Sequence, residues 1–316
     1  MFIIQKNKYE ETNMKKVLAS ILSMTIFMSF TACSGKEEPA PTGSVQTVRT
    51  EDITEETEPS ATSSVNNPAS EYVKDTVYKL KITYEPDPED GDDEPDEDEL
   101  EFHTPQLQIK SSYADTVNKE IASAVEKYKK DLEKEEADHY FGTAYVAYLS
   151  KENVLSLLFI SYEETDMNEY KVYNIDVKTG EKVDNARIAQ IAGVSSIRQE
   201  AMNALQNWYN NMEIVKVSNY KVVLKDGQKM DAQLKAVEET FSEKYLNDNM
   251  QIGLTNEGKM FFITTVEAMA GADLYQWVFD ADGNDIDDED NPYYVGYIDP
   301  EDDDDVDDAP EDYTDD

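Results

Sequence analysis

Cys33 is the only cysteine of this 316-residue chain. The residues around it predict that it is covalently modified. Residues 14–16 read Met-Lys-Lys, and residues 17–30 are mostly apolar. A basic start, a short apolar run and small residues before a cut site define a secretory signal peptide. The run is shorter than the roughly twenty residues that a transmembrane helix needs. We therefore predict that residues 1–33 are an export signal ending at Cys33, with Met1 or Met14 as its start.

The segment around this cysteine reads FTACSG at residues 30–35. It resembles the lipobox of bacterial lipoproteins, in which small residues precede a lipid-modified cysteine, although Phe30 stands where Leu is usual. The resemblance implies diacylglycerol and palmitate on Cys33 and a location on the extracytoplasmic face of the cell membrane. A single cysteine can form no intramolecular disulfide. The alternative is an unmodified cysteine beside an ordinary signal peptide.

Asp280, Asp282 and Asn284 are oxygen-bearing residues at alternate positions, as at the start of a calcium-binding loop. EF-hand loops also need Gly at the sixth position and Glu at the twelfth, where this chain has Asp285 and Asn291. Two interpretations stay open: a weak Ca²⁺ site at the first three residues, and a simple turn after a strand, which we favour. No other cofactor is expected.

The chain has two histidines, His103 and His139, and neither lies in a nucleophile motif. The sequence also lacks a glycine-rich phosphate loop. Carboxylate pairs are common, but a chain with 69 acidic residues contains such pairs by composition alone. We therefore predict no catalytic residues and a protein that is not an enzyme. The alternative is a wall-modifying enzyme whose acid–base carboxylates lie in a cleft.

The chain carries 28 basic and 69 acidic residues, so its net charge is −41. Nucleic-acid binding requires clustered cations, so this balance argues against that class and predicts repulsion from anionic lipid head groups. Residues 85–101 contain 12 of the acids and residues 280–316 contain 19, and neither segment contains a basic residue. Such runs are usually disordered and solvated. The alternatives are weak Ca²⁺ binding and attraction of a cationic partner.

Composition divides the chain into an export signal, a tether, a folded domain and a tail. Residues 34–71 are rich in Pro, Ser, Thr and Glu. We predict a disordered tether there, because such a segment cannot bury enough apolar surface to offset its ordering entropy. Residues 72–280 have the pattern of a folded domain, with an acidic hairpin insertion at residues 85–99. Residues 281–316 are predicted to be an acidic, disordered tail.

Apolar periodicity predicts the elements of the folded domain. Apolar residues three and four apart predict a helix that opens at Ser112, with a stripe of Val117, Ile121, Val125, Tyr128 and Leu132. Two more helices are predicted over residues 196–212 and 231–246. Alternation predicts strands over residues 76–84, 100–109, 143–149, 154–162, 170–177, 251–254, 259–266 and 273–279. Strand groups interrupted by helices predict an α+β fold, a mainly antiparallel sheet with about three helices.

Several segments, in their order along the chain, resemble one family of extracellular domains. Residues 104–109 (TPQLQI) and 117–121 (VNKEI) resemble its "P-x-I…I-N-x-x-I" pattern. Residues 154–157 (VLSL), 173–181 (YNIDVKTGE) and 268–272 (AMAGA) resemble later segments of it. The domain occurs in lysozyme-sensing anti-sigma factors of the RsiV type and as the accessory domain of peptidoglycan deacetylases, in Gram-positive, clostridial-type proteins. The resemblance implies an α+β, non-catalytic, envelope-facing domain over residues 72–280.

These observations together predict a lipid-anchored, non-enzymatic domain that binds a protein or a cell-wall glycan at the bacterial surface. The resemblance and the acidic charge make two partners candidates: a cationic protein such as lysozyme, and peptidoglycan. The alternatives are the wall-modifying enzyme and an acidic, calcium-binding surface protein.

Overall fold

The computed structural model describes residues 67–83, 97–132, 140–163, 168–212, 215–267, 274–287 and 291–296. The predicted export signal, most of the tether, residues 84–96 and residues 297–316 lie outside these ranges. The described residues form two compact units, where the sequence suggested one domain. The larger unit comprises residues 67–194, 251–261 and 285–296, and the smaller unit comprises residues 195–250 and 262–284.

The α+β prediction is confirmed, because the described residues form four α-helices and several mainly antiparallel sheets. The strands are β1 (Val73–Lys74), β2 (Val77–Thr83), β3 (Glu97–His103), β4 (Gln106–Leu107), β5 (Tyr140–Leu149), β6 (Val154–Glu163), β7 (Glu169–Asp176), β8 (Val217–Ser218), β9 (Lys221–Val222), β10 (Gln251–Leu254), β11 (Met260–Glu267), β12 (Leu274–Asp280) and β13 (Tyr294–Val295). The helices are α1 (Ser112–Leu132), α2 (Asn185–Ala192), α3 (Ile197–Asn211) and α4 (Ala232–Thr240).

A sheet with the strand order β2-β3-β5-β6-β7 forms the centre of the larger unit. Neighbouring strands are antiparallel except β3 and β5, which are parallel where Glu101 lies beside Gly142. Gly142 has a φ of 141°, and a Cβ there would lie 2.3 Å from the carbonyl oxygen of Glu101. Only glycine permits this close approach of the two backbones.

Helix α1 covers one face of this sheet with the apolar stripe that the sequence predicts. The core on this face includes the helix residues Val117, Ile121, Val125 and Tyr128 and the strand residues Phe102, Leu155, Leu157 and Ile175. Burying each large apolar side chain contributes about 1.5–3 kcal/mol, so this contact is the main source of stability on that face.

Polar residues near the start of α1 join the helix to the chain before it. The helix begins at Ser112 as predicted, and the Ser111 hydroxyl caps it by accepting a hydrogen bond from the Ala114 N–H at 3.0 Å. The side chain of Asn118 pairs with both backbone groups of Leu107: its Oδ1 accepts from the N–H at 2.7 Å, and its Nδ2 donates to the carbonyl at 3.1 Å. Asn118 therefore gives β4 a hydrogen-bonding partner of the kind that a neighbouring strand provides.

Strand β10 is held by two buried polar side chains of the central sheet. The Ser156 hydroxyl donates to Asn174 Oδ1 at 2.6 Å, and Asn174 Nδ2 donates to the Ile252 carbonyl at 2.7 Å. The Leu254 N–H in turn donates to the Ser156 hydroxyl at 2.9 Å. Each of these polar atoms is thereby satisfied in a buried position, and β10 is placed against β6 and β7.

Part of the predicted tail belongs to the larger unit. Strand β13 pairs antiparallel with β5, beyond the point where β3 leaves it. The Tyr162 hydroxyl donates to the Tyr294 hydroxyl at 2.8 Å, and Asn291 Nδ2 donates to the Tyr148 hydroxyl at 2.8 Å. Ile286 is buried. These contacts hold residues 285–287 and 291–296 to the larger unit.

The smaller unit packs α3 against β12. Trp208 of α3 stacks on Phe279 of β12, with 6.0 Å between the ring centroids. Asn210 pairs with both backbone groups of Val217 in β8, at 2.8 and 3.0 Å, as Asn118 does with Leu107. The predicted starts of α3 and α4 are confirmed by the capping side chains of Ser196 and Asp231.

The short strands β1, β8, β9 and β13 were not predicted, and three longer elements differ from the prediction. Helix α2 was not predicted, although Asp184 caps its start and Gly193, with a φ of 72°, ends it. Helix α4 ends at Thr240 rather than at residue 246, and turns follow it. The predicted strand 100–109 is divided into β3 and β4, because Pro105 lies between them and has no N–H for a strand ladder.

Substituting Asn118 by Ala should lower the free energy of unfolding by about 1–3 kcal/mol, because both backbone groups of the buried Leu107 lose their partner. Urea unfolding followed by circular dichroism measures this change. Gln106→Ala alters an exposed side chain on the same strand and should change the value by less than about 0.5 kcal/mol. Equal effects of the two substitutions would contradict the role assigned to Asn118.

Candidate functional site

His103 is the centre of a buried charged cluster at one end of the β2–β3 hairpin. It ends β3, two residues after Glu101, so alternation places both on the same side of the strand. Lys79 lies directly opposite Glu101 on β2. Asp75 lies in the connection between β1 and β2. The hairpin register therefore brings together four titratable side chains from three segments.

The two ring nitrogens of His103 face two different carboxylates. Nδ1 lies 2.6 Å from Asp75 Oδ2, and Nε2 lies 3.2 Å from Glu101 Oε2. The other oxygen of Glu101 forms an ion pair with Lys79 Nζ at 2.6 Å. The side chains of His103 and Asp75 are only 6% and 3% exposed, so solvent screens their pairing weakly.

Burial alone would lower the pKa of His103, but the hydrogen bonds to Asp75 and Glu101 and their negative charges outweigh it and raise the pKa to about 9. The hydrogen bond from His103, assisted by Lys79 and opposed by burial, lowers the pKa of Glu101 to about 2. At neutral pH His103 is therefore a cation that donates from both ring nitrogens, and Glu101 is an anion.

This protonation state decides what the cluster can do. An imidazolium whose two N–H groups are both engaged has no lone pair, so it acts neither as a general base nor as a metal ligand in this arrangement. Asp75 Oδ1 is buried and has no hydrogen-bond partner within the described residues. His103 thus compensates the Asp75 carboxylate and joins the β1–β2 connection to β3. The cluster is built to hold the hairpin.

The sequence contains His103 and Glu101 as one of two histidines and one of many acidic residues, and their pairing was not predicted. The available signal was the two-residue spacing of Glu101 and His103 on a predicted strand. Asp75 and Lys79 join the cluster because of how β2 pairs with β3, and that register cannot be read from residue types alone.

The three residues of the predicted calcium site do lie together, in a turn after β12. Asp280 Oδ1 accepts hydrogen bonds from the backbone N–H groups of Asp282 at 2.8 Å and Asn284 at 3.0 Å. Asn284 directs its side-chain Nδ2, a donor, at the same carboxylate. This geometry is that of the turn interpretation. Over the described ranges, no group of three or more His, Cys, Asp or Glu residues is arranged to hold a metal ion.

Four polar residues of the segments that carry the family resemblance make hydrogen bonds within the larger unit. Asn118, Ser156 and Asn174 make the buried contacts described above. Asp176 Oδ1 accepts from the Lys178 N–H at 2.8 Å and so closes the turn after β7. These residues therefore determine the fold of the larger unit.

Cys33 lies outside the described residues. Within the part of the chain that the structure describes, no helix has the length and apolar character needed to cross a bilayer. No protein-family model matches the chain, and no curated protein sequence matches it.

The His103 cluster predicts a loss of stability at alkaline pH. Because the folded-state pKa of about 9 exceeds the ordinary 6.5, the contribution of His103 is complete below pH 6.5 and is lost as pH rises through 9. The change should be on the order of 3 kcal/mol by urea unfolding. Glu101, whose pKa is lowered, contributes above pH 4.5, and that contribution is lost as pH falls towards 2.

His103→Gln should be less stable at pH 6.5 and should lose this alkaline slope. The matched control is His139→Gln, which changes the other histidine of the chain and should keep the slope. A persistent slope in His103→Gln would assign the alkaline transition to another group.

The turn at Asp280 predicts an effect of substitution that is independent of calcium. Asp280→Ala removes the acceptor of two backbone N–H groups, so it should lower the free energy of unfolding by about 1 kcal/mol. Millimolar Ca²⁺ should leave this difference unchanged. Asp226→Ala, in another Asp-Gly turn, is the control. A rise in the melting temperature with Ca²⁺ that Asp280→Ala abolishes would instead establish a calcium site.

Proposed function

We propose that this chain is a lipid-anchored, non-enzymatic binding domain on the extracytoplasmic face of a bacterial cell membrane. The observation that carries the proposal is the position of Cys33, the only cysteine, directly after a basic start, an apolar run and small residues. Diacylglycerol and palmitate on this residue hold the chain at the membrane, and residues 34–66 connect the anchor to the larger unit, whose described part begins at residue 67.

The buried polar groups of the larger unit favour a binding role over catalysis, because the ones described above already have partners within the unit. His103 donates from both ring nitrogens to carboxylates, and Ser156 and Asn174 hold β10. These groups are committed to contacts within the larger unit. Ligand recognition is therefore assigned to exposed surfaces, and the ligand is a protein or a cell-wall glycan.

The net charge limits the class of protein that the domain could bind. At −41 the chain attracts cationic proteins over distances of about one Debye length, roughly 8–10 Å at ordinary salt. A strongly cationic protein such as lysozyme fits this charge, and peptidoglycan is the glycan candidate that follows from the family resemblance.

Replacing Cys33 by Ala should abolish lipid attachment and release the protein from the membrane, because no other thiol can be modified. Cells grown with labelled palmitate, followed by fractionation, measure both effects. Ser34→Ala, the neighbouring change, should retain label and membrane association. Label that persists in Cys33→Ala would remove the basis of the proposal.

The ligand is tested with chain purified from membranes and incubated with lysozyme or with purified peptidoglycan. Binding to lysozyme should weaken several-fold between about 0.1 M and about 1 M salt, because screening shortens the reach of exposed charges. Binding to peptidoglycan should be less sensitive to salt. Binding to neither would exclude both candidates.

A further inference from the structure

Residues 216–229 of the smaller unit have a net positive charge, although the chain as a whole is strongly acidic. The segment contains four lysines and one acidic residue, Asp226, whereas the whole chain has a net charge of −41. The lysines are Lys216, Lys221, Lys225 and Lys229, and all four are exposed. Within the described residues, none of them forms an ion pair within 4 Å. Their charges therefore face solvent.

The register of the β8–β9 hairpin places two of these lysines beside an exposed apolar side chain. Val217 pairs with Val222 and is buried, so the neighbouring positions project from the opposite face. Lys216 and Val223 are joined by the Val223 N–H, which donates to the Lys216 carbonyl at 2.7 Å, and Lys221 shares their face. Val223 is 47% exposed, the one large apolar side chain of the described residues that is exposed.

The turn between β8 and β9 attaches the hairpin to α3. Asn219 and Tyr220 both have positive φ, 49° and 61°, as a tight two-residue hairpin turn requires. The Tyr220 hydroxyl donates to Asn203 Oδ1 at 2.7 Å and accepts from Gln199 Nε2 at 2.6 Å. A bulky residue in the left-handed region is unfavourable, so these contacts to α3 are what keep the turn in place.

The charge around the hairpin allows it to approach an anionic surface. Residues 195–250 and 262–284 contain seven basic and twelve acidic residues, a net charge of −5, compared with −41 for the whole chain. Of the 69 acids, 31 lie in residues 85–101 and 280–316.

Screening limits exposed charges to about 10 Å at 0.1 M salt, so a surface that contacts the hairpin responds mainly to the charges beside it. These are the four lysines, opposed by Asp226 and by Glu238, whose Oε1 accepts a hydrogen bond from the Val222 N–H at 3.0 Å. The net charge of the chain predicts repulsion from an anionic surface. Most of the acidic residues that cause it lie outside the hairpin, so a contact made by the hairpin alone is less affected.

We propose that Lys216, Lys221 and Val223 of the hairpin, together with the exposed Lys225 and Lys229 of the segment that follows β9, form a docking surface for an anionic phospholipid bilayer. The four ammonium groups pair with phosphate head groups, and Val223 enters the interfacial region between them. The proposal rests on the proposed function, because the lipid on Cys33 keeps the chain at the bilayer. Docking holds the smaller unit at the membrane surface.

The test uses the full, lipidated chain with Val223→Cys, reconstituted in vesicles. Lipidated Cys33 has no free thiol, so a polarity-sensitive fluorophore attaches at position 223 alone. In vesicles of phosphatidylcholine with about one third phosphatidylglycerol, the emission should shift to the blue, and acrylamide should quench it less than in pure phosphatidylcholine. The shift should fall as salt rises to about 1 M.

Replacing all four lysines by Gln should abolish the shift, since each contributes about fivefold to the contact equilibrium. The matched control replaces four exposed lysines of the larger unit, Lys110, Lys119, Lys151 and Lys178, by Gln and should keep the shift. An equal shift in neutral vesicles, or in solution with a soluble polyphosphate, would overturn the assignment to an anionic bilayer. A chain that stays on the vesicles without a shift overturns the docking surface alone, whereas a chain that leaves the vesicles overturns the lipid anchor and the docking surface together.

Discussion

The pairing of Ser156 with Asn174 is the interaction on which the larger unit depends. These two side chains lie on neighbouring strands, and together they satisfy the Ile252 carbonyl and the Leu254 N–H of β10. The bonds cross 78 and 98 residues of sequence. A buried polar group left without its partner costs about 1–3 kcal/mol, so β10 has one favourable position on the sheet. Residues 251–261 join the larger unit for this reason, although the smaller unit precedes them in sequence.

Polar side chains also hold two short strands, β4 and β8. Asn118 pairs with both backbone groups of Leu107, and Asn210 does so with Val217. The charged cluster of His103 serves a related purpose, because it joins a connection to a strand through buried charges. Polar side chains in the interior of this protein hold backbone in place. The proposed recognition therefore relies on other features: the acidic charge of the sequence and the exposed, lysine-bearing hairpin.

Elements with a strong local signal could be predicted from the sequence. Helix α1 has an unbroken apolar stripe, and Ser196 and Asp231 are recognisable caps. Helix α2 was missed because its eight residues bury one large apolar side chain, Ile188, which is too little periodicity to detect. Strand β13 was missed because two residues in an acidic segment have no strand pattern, and only pairing with β5 makes them one.

The candidate sites divide in the same way. The context of Cys33 is local, so the lipid anchor and the tether are predictions that rest on the sequence alone. The α+β class also followed from local periodicity, since apolar spacing of two and of three to four residues is readable along the chain. The His103 cluster and the two-unit arrangement arise from strand register, which depends on which buried groups satisfy one another. The sequence by itself determined the kinds of elements, and the tertiary structure decided which polar groups meet, because burial makes a polar contact obligatory only once distant segments have come together.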